Sequence, residues 1–149
     1  MSYAALKLES QLPDTAAFQR ARGQARREKL WARLRGRSAD LRCFHQVEDK
    51  PQVNGDRVLH RKEVPLQAIV GSVERCGDYS QSFLPLKDSD QQRWTRVKEA
   101  FARNKPLPPI QLAEDGGEYF VIDGHHRVSV ARQLGLSHLE AQVLQVLPN

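Results

Sequence analysis

Tyr119-Phe120-Val121-Ile122-Asp123-Gly124-His125-His126-Arg127-Val128-Ser129-Val130-Ala131-Arg132 is the stretch whose reading decides the fold. Tyr119 to Ile122 is a short, apolar, β-prone run and reads as a buried strand. Asp123-Gly124 breaks it, and glycine reaches backbone angles that other residues reach only at a cost. Val128, Ala131 and Leu134 then recur at helical spacing and end at Gly135, a natural C-cap. The layout is strand, tight turn, helix, with His125, His126 and Arg127 on the first helical turn. Unpaired N–H groups and the positive end of the helix dipole draw anions to such a turn. An arginine fork and two imidazoles beside it would complete a phosphate cradle. The same three residues also suit a helix whose early polar side chains simply face water.

Moving outward, Asp115-Gly116-Gly117 is a hairpin signal that links this strand to an earlier one entered through Pro108-Pro109-Ile110-Gln111-Leu112. Downstream, Leu139 to Leu147 alternates imperfectly and predicts a final strand. Upstream, Asp88-Ser89-Asp90 places acids at a helix start, and Trp94, Val97 and Phe101 follow on one apolar face. Arg93, Arg96, Lys98 and Arg103 lie mostly around the other side of that helix. Asn104-Lys105-Pro106 stops it. Residues 57–73 suggest a strand running into a short turn, with Pro65 confining that strand to a sheet edge. Gly71 to Pro85 reads as a long irregular loop carrying Arg75, Asp78 and Tyr79, and loops of that length are often functional.

At 149 residues the chain suits one domain with an appendage, and 40% hydrophobic with 28% charged residues is ordinary for a soluble protein. No run is long and apolar enough to span a membrane, so no membrane partner is expected. Met1 to Gln11 lacks both a basic start and an apolar stretch, so a cytoplasmic location is expected. Cys43 and Cys76 form no metal-type pair and read as two reduced thiols in that compartment. Charge is unevenly placed. Residues 15–37 hold eight cations against Glu28 alone, a balance of +7, which leaves −2 for the rest of a chain whose net charge is +5. Good helix formers fill Thr15 to Arg37, capped by Thr15 and ended near Gly36. Its apolar residues fall into two groups split by Arg26 to Lys29. This segment reads either as a helix packing through Trp31 and Leu34 with its arginines outward, or as a partly mobile arm. Arg20, Arg22, Arg26, Arg27 and Arg33 are its candidate contacts to DNA or a partner, against the plainer reading of a solvated face. The expected organisation is a basic helical extension over 1–40, a linker over 41–56 and a globular domain over 57–149.

Other chemistries fit poorly. His125 and His126 are adjacent and point roughly 100° apart on a helix, so they do not share a metal as an i, i+4 pair would. No protein-held metal is expected. A magnesium ion carried by a nucleotide needs fewer protein ligands. Ser129 stands one turn beyond His125, yet nothing resembles a nucleophile elbow.

The run from Pro108-Pro109-Ile110 through Val121-Ile122-Asp123-Gly124-His125-His126-Arg127 to Ala131 and Leu134-Gly135 resembles the ParB/sulfiredoxin superfamily. Partition proteins of the ParB type carry a Gly-Glu-Arg-Arg turn there, sulfiredoxins Gly-Cys-His-Arg, and archaeal free-serine kinases a Gly-His-Thr-Arg type of turn. The resemblance spans roughly residues 57–147 and is specific over Pro108 to Gly135. It implies an α+β fold: a compact ParB/sulfiredoxin-like domain with a small mixed sheet and packed helices, preceded by the basic helix. It also implies that Gly124, His126 and Arg127 contact nucleotide phosphates, with His125 beside them. His125 stands where sulfiredoxins have their catalytic cysteine, so sulfinic acid repair is not expected. Ser129 stands where partition proteins often have arginine. No room follows Asn149 for a helix-turn-helix or dimerisation domain, so a complete partition protein is not expected either. Val64-Pro65-Leu66, Ile69 and Arg75 resemble the family's first box. Serine kinases place a catalytic glutamate in that vicinity, where Glu74 is the local candidate.

Two functions are thus expected. One is a stand-alone ParB-like domain that binds a nucleotide, ATP or CTP with or without magnesium, as a regulatory or DNA-associated accessory. The other is a small-molecule phosphotransferase or nucleotide hydrolase with Glu74, Asp78, Asp123 or His125 in a catalytic role. Arg75, Asp78 and Ser129 are additional candidates for the site. A nuclease reading finds no metal constellation to support it.

Overall fold

The Gly116-Gly117 turn joins two strands that form the centre of a six-stranded sheet. The computed structural model describes residues 14–44 and 59–145. In chain order these form α1 (Asp14–Leu34), β1 (Arg42–Cys43), β2 (Leu59–Pro65), β3 (Ile69–Ser72), α2 (Gln91–Ala102), β4 (Ile110–Asp115), β5 (Glu118–Asp123), α3 (His125–Gln133) and β6 (His138–Gln145). Short 3₁₀ turns, Leu66–Ala68 and Asp88–Asp90, precede β3 and α2. The sheet order is β1-β3-β5-β4-β6-β2, with β4–β5 and β2–β6 antiparallel and the other three pairs parallel. Helices and a mixed sheet in one layered unit give the expected α+β class.

Local chemistry explains most boundaries. Gly116 and Gly117 both take positive φ, +59° and +85°, as the tight hairpin between β4 and β5 requires. Pro65, without an N–H, closes β2 at the sheet edge, as anticipated. All three helices end with paired bonds closing the last turn, for example Leu136 N–H to Ala131 C=O at 3.0 Å and Gly135 N–H to Arg132 C=O at 3.1 Å.

The core has two parts. Val64, Ile69, Leu112, Val121, Val128, Ala131, Ala141 and Val143 pack between sheet and helix α3. Ala17, Phe18, Ala21 and Ala25 of α1 pack against Leu84, Trp94 and Val130. The Phe18 and Trp94 rings meet edge to face, with centroids 5.7 Å apart. The apolar face of α2 is as predicted, with Trp94 buried and Val97 and Phe101 partly so, but Lys98, expected around the other side, is buried as well.

Three further expectations need correction. Helix α1 does not pack through Trp31 and Leu34, which are 58% and 70% exposed; its first half carries the contact instead. Alanines at 17, 21 and 25 let the backbone approach closely, whereas Leu30, Trp31 and Leu34 face solvent. Arg42 and Cys43, within the expected linker over 41–56, enter the sheet as β1, beside β3; residues 45–58 lie outside the described residues. Cys43 and Cys76 are not separate thiols but a disulfide, with Cα atoms 5.5 Å apart. The predicted final strand ends at Gln145, and Leu147 lies outside the described residues. Among the described residues no helix is long and apolar enough to cross a membrane.

Because Phe18 is wholly buried in the second part of the core, Phe18→Ala is expected to lower unfolding free energy by about 3 kcal/mol, measured by chemical denaturation. A loss below about 0.5 kcal/mol would mean that α1 does not contribute to the fold.

Candidate functional site

Strand β5 ends at Asp123, and Gly124 turns the chain into α3 with φ +105°. The corner admits only glycine for two reasons. The left-handed backbone is strained for any L side chain, and an added Cβ would sit 2.5 Å from Ile110 Cγ2. No side chain caps the first turn of α3; its first bond joins Val128 N–H to Gly124 C=O at 3.0 Å. Gly124, His125, His126 and Arg127, at this uncapped turn, line a cleft of ≈ 340 Å³. Arg75, Arg93, Arg96 and Val97 form the other walls of that cleft.

The two histidines part company. His125 turns inward, and its Nε2 shares a 2.7 Å hydrogen bond with Ser72 Oγ. Ser72 Oγ also accepts the Arg75 backbone N–H at 3.0 Å. Burial, helped by the nearby Arg75 charge, pushes the His125 imidazolium down to about 4, so the ring is neutral at ordinary pH. His126 lies at the cleft, its Nε2 3.1 Å from Asp90 Oδ1. Burial lowers its pKa against the opposing pull of Asp90. The Tyr79 ring stacks on His125 and meets His126 edge-on.

A chain of charges backs the histidines. Lys87 Nζ reaches Asp78 at 2.6 Å, Asp78 holds Arg75 Nε at 2.7 Å, and Arg75 Nη2 lies 3.5 Å from Asp90. Burial works against the Arg75 charge, but the Asp78 contact prevails and raises its pKa. Asp78 is likewise pushed up by burial and pulled lower overall by Lys87 and Arg75. Arg75 also lies over the Tyr79 ring, 5.8 Å from its centroid.

Arg127 differs from the expected free phosphate fork. Its Nη1 donates to the carbonyls of Pro108 and Pro109, and its Nη2 meets Asp123 Oδ2 at 3.1 Å. It borders the cleft while fastening residues 108–109 to the glycine corner. Of the arginines lining this cleft, Arg75 and Arg127 are ion-paired, whereas Arg93 and Arg96, both exposed on α2, have no ion pair among the described residues. They were legible as a basic helix face, but nothing local showed that this face meets the glycine turn. Asp90 was readable only as a helix-start acid, and Ser72 left no signal.

The remaining candidates fall elsewhere. Ser129 is fully buried, and its Oγ accepts the Trp94 indole N–H at 2.9 Å, so it serves the core. Glu74 is exposed and outside the cleft walls. Asp78 is held between two cations, and Asp123, 67% exposed, pairs with Arg127. Among the described residues no three acids, histidines or cysteines gather as a metal site. Of the α1 arginines, Arg22 is bound to Asp88 at 3.0 Å with its side chain only 12% exposed, which removes it from a DNA-facing set. Arg20, Arg26, Arg27 and Arg33 are exposed.

Two outcomes follow from the corner and its histidine. Gly124→Ala should lose about 3 kcal/mol of stability by denaturation, from backbone strain plus the Ile110 overlap. A loss below about 1 kcal/mol would contradict the corner geometry. A neutral buried His125 must charge on unfolding, so stability is complete above about 6.5 and drains as pH falls toward about 4. The full difference is about 3 kcal/mol. The melting temperature of His125→Gln should fall less over that window than that of the parent.

The chain matches no protein-family model and no curated protein sequence. Among solved structures it is similar to sulfiredoxin from Arabidopsis thaliana, at 21% identity over 58% of this chain and 86% of that one, with a TM-score of 0.45. The likeness is one of fold, and it transfers none of that protein's chemistry.

Proposed function

We propose that this protein is a regulatory nucleotide-binding domain that holds the phosphates of ATP or CTP in the cleft between α2 and the glycine corner. One observation carries the reading: Arg93 and Arg96, without ion-pair partners among the described residues, share a cleft with an uncapped helix start. Amides at a helix start favour anions through both hydrogen bonds and dipole, and guanidinium groups add charge-assisted bonds. The backbone N–H of His126 belongs to this helix start, while its ring Nε2 is engaged by Asp90. A magnesium ion brought by the nucleotide would meet Asp123 at the rim through the carboxylate oxygen that Arg127 does not hold.

Regulation is favoured over phosphoryl transfer because the acids near the cleft are already occupied. Asp78 and Asp90 sit behind the histidines in ion pairs, Asp123 is paired with Arg127, and Glu74 stands outside. Among the described residues, each carboxylate bordering or backing the cleft is already in an ion pair, so none stands free to take a proton from an acceptor hydroxyl. DNA association belongs to the same reading, through the exposed Arg26, Arg27 and Arg33 on the outer half of α1.

The test is titration calorimetry with ATP, CTP and inorganic pyrophosphate. Arg93→Ala/Arg96→Ala should weaken binding at least about tenfold with the melting temperature of the free protein preserved, since two charge-assisted contacts are lost. Arg127→Ala should lower the melting temperature as well, because it also unfastens the Pro108–Pro109 carbonyls. Unchanged affinity in the double variant would overturn the assignment.

A further inference from the structure

The disulfide ties the cleft to the sheet edge. Cys43 closes β1, which adds only Arg42 and Cys43 to the sheet, opposite Gly71 and Ser72 of β3. Cys76 directly follows Arg75, and its Sγ lies 3.6 Å from the Ser72 carbonyl. Arg75 is a wall of the cleft, its backbone N–H completes the Ser72–His125 pair, and its guanidinium reaches Asp78 and Asp90. Asp90 in turn holds His126. One covalent bond thus pins the loop that positions a cleft cation and supports both histidines. Both cysteines are half-buried, so a small reductant reaches the bond after slight opening.

We propose that the Cys43–Cys76 disulfide is a redox switch on the anion cleft, with the oxidised form the stronger binder. The inference rests on the phosphate reading of that cleft. A dithiol reductant supplies the electrons. Its thiolate attacks one sulfur of the pair, the Cys43–Cys76 bond breaks, and the other cysteine leaves as a thiolate and takes up a proton. The reductant's second thiol then displaces the first cysteine from the mixed disulfide. The protein ends with two thiols and the reductant with one disulfide. The loop over residues 73–78 loses its tie to β1. Arg75 then keeps its position through noncovalent contacts alone, to Asp78, Asp90, Ser72 and the Tyr79 ring, and the cleft becomes less preorganised.

Linkage supplies two independent readouts. If oxidation tightens anion binding by some factor, the bound anion must make the disulfide harder to reduce by the same factor. The experiment uses the whole chain and inorganic pyrophosphate as the probe. Calorimetry in air and after dithiothreitol should show about a tenfold weaker affinity when reduced, and saturating pyrophosphate should shift the dithiothreitol equilibrium by that same factor. Iodoacetamide should label neither cysteine in the air-oxidised protein and both after reduction. Cys43→Ser/Cys76→Ser should bind as weakly as the reduced chain whether or not dithiothreitol is present. Should that variant fail to fold by circular dichroism, the two measurements on the parent chain still decide. Equal affinity in both redox states overturns the switch and leaves the cleft standing. Absence of binding in both states overturns the cleft and the switch with it. Labelling of both cysteines in air-oxidised protein overturns the switch alone.

Discussion

A single left-handed residue, Gly124, sets the geometry on which the rest depends. At φ +105° it turns the edge of β5 directly into α3 without an intervening loop. Ile110 packs where a side chain would otherwise lie, so the corner sits against the first residue of β4. Arg127 then reaches back over that junction to the Pro108 and Pro109 carbonyls. Strand, corner and helix become one rigid unit, and its uncapped first turn borders the cleft.

Charge around this unit is arranged in two tiers. Behind the histidines the acids are matched: Asp78 by Lys87 and Arg75, Asp90 by Arg75 and His126. Partly buried ions favour such pairing because water screens them less. In front, Arg93 and Arg96 remain unneutralised by any described carboxylate. The net positive field therefore falls on the open side of the cleft. His125 lies at the boundary between tiers; held neutral by burial, it adds no charge that would have to be compensated.

Much of the scaffold was legible because its signals are short-range. The continuous apolar run at 119–122, the Gly116-Gly117 pair and the Trp94-Val97-Phe101 stripe each depend on neighbours within a few positions. What escaped depends on distant partners. Arg127 looked like a free fork because its acceptors are backbone carbonyls 18 and 19 residues earlier, which carry no residue-type signature. Cys43 and Cys76 looked separate because only the β1–β3 pairing brings them together across 33 positions. Trp31 and Leu34 looked like packing residues by their size, whereas small alanines, easily overlooked, permit the close helix contact. Arg93 and Arg96 were seen as a solvent face, which is true of their helix taken by itself.

The order of strands has a consequence for how the chain acquires its shape. β1, β2 and β3 come first in sequence, yet β1 and β2 are the two outer margins, and β3 borders the central pair made later by residues 110–123. During synthesis the early strands therefore emerge without the ribbons they will line. β2 waits for β6, some eighty residues downstream, and β3 waits for β5. Nascent chains in that state display open backbone edges that invite mispairing. The charged run Arg61-Lys62-Glu63 on β2 discourages such pairing until β6 arrives to cover it.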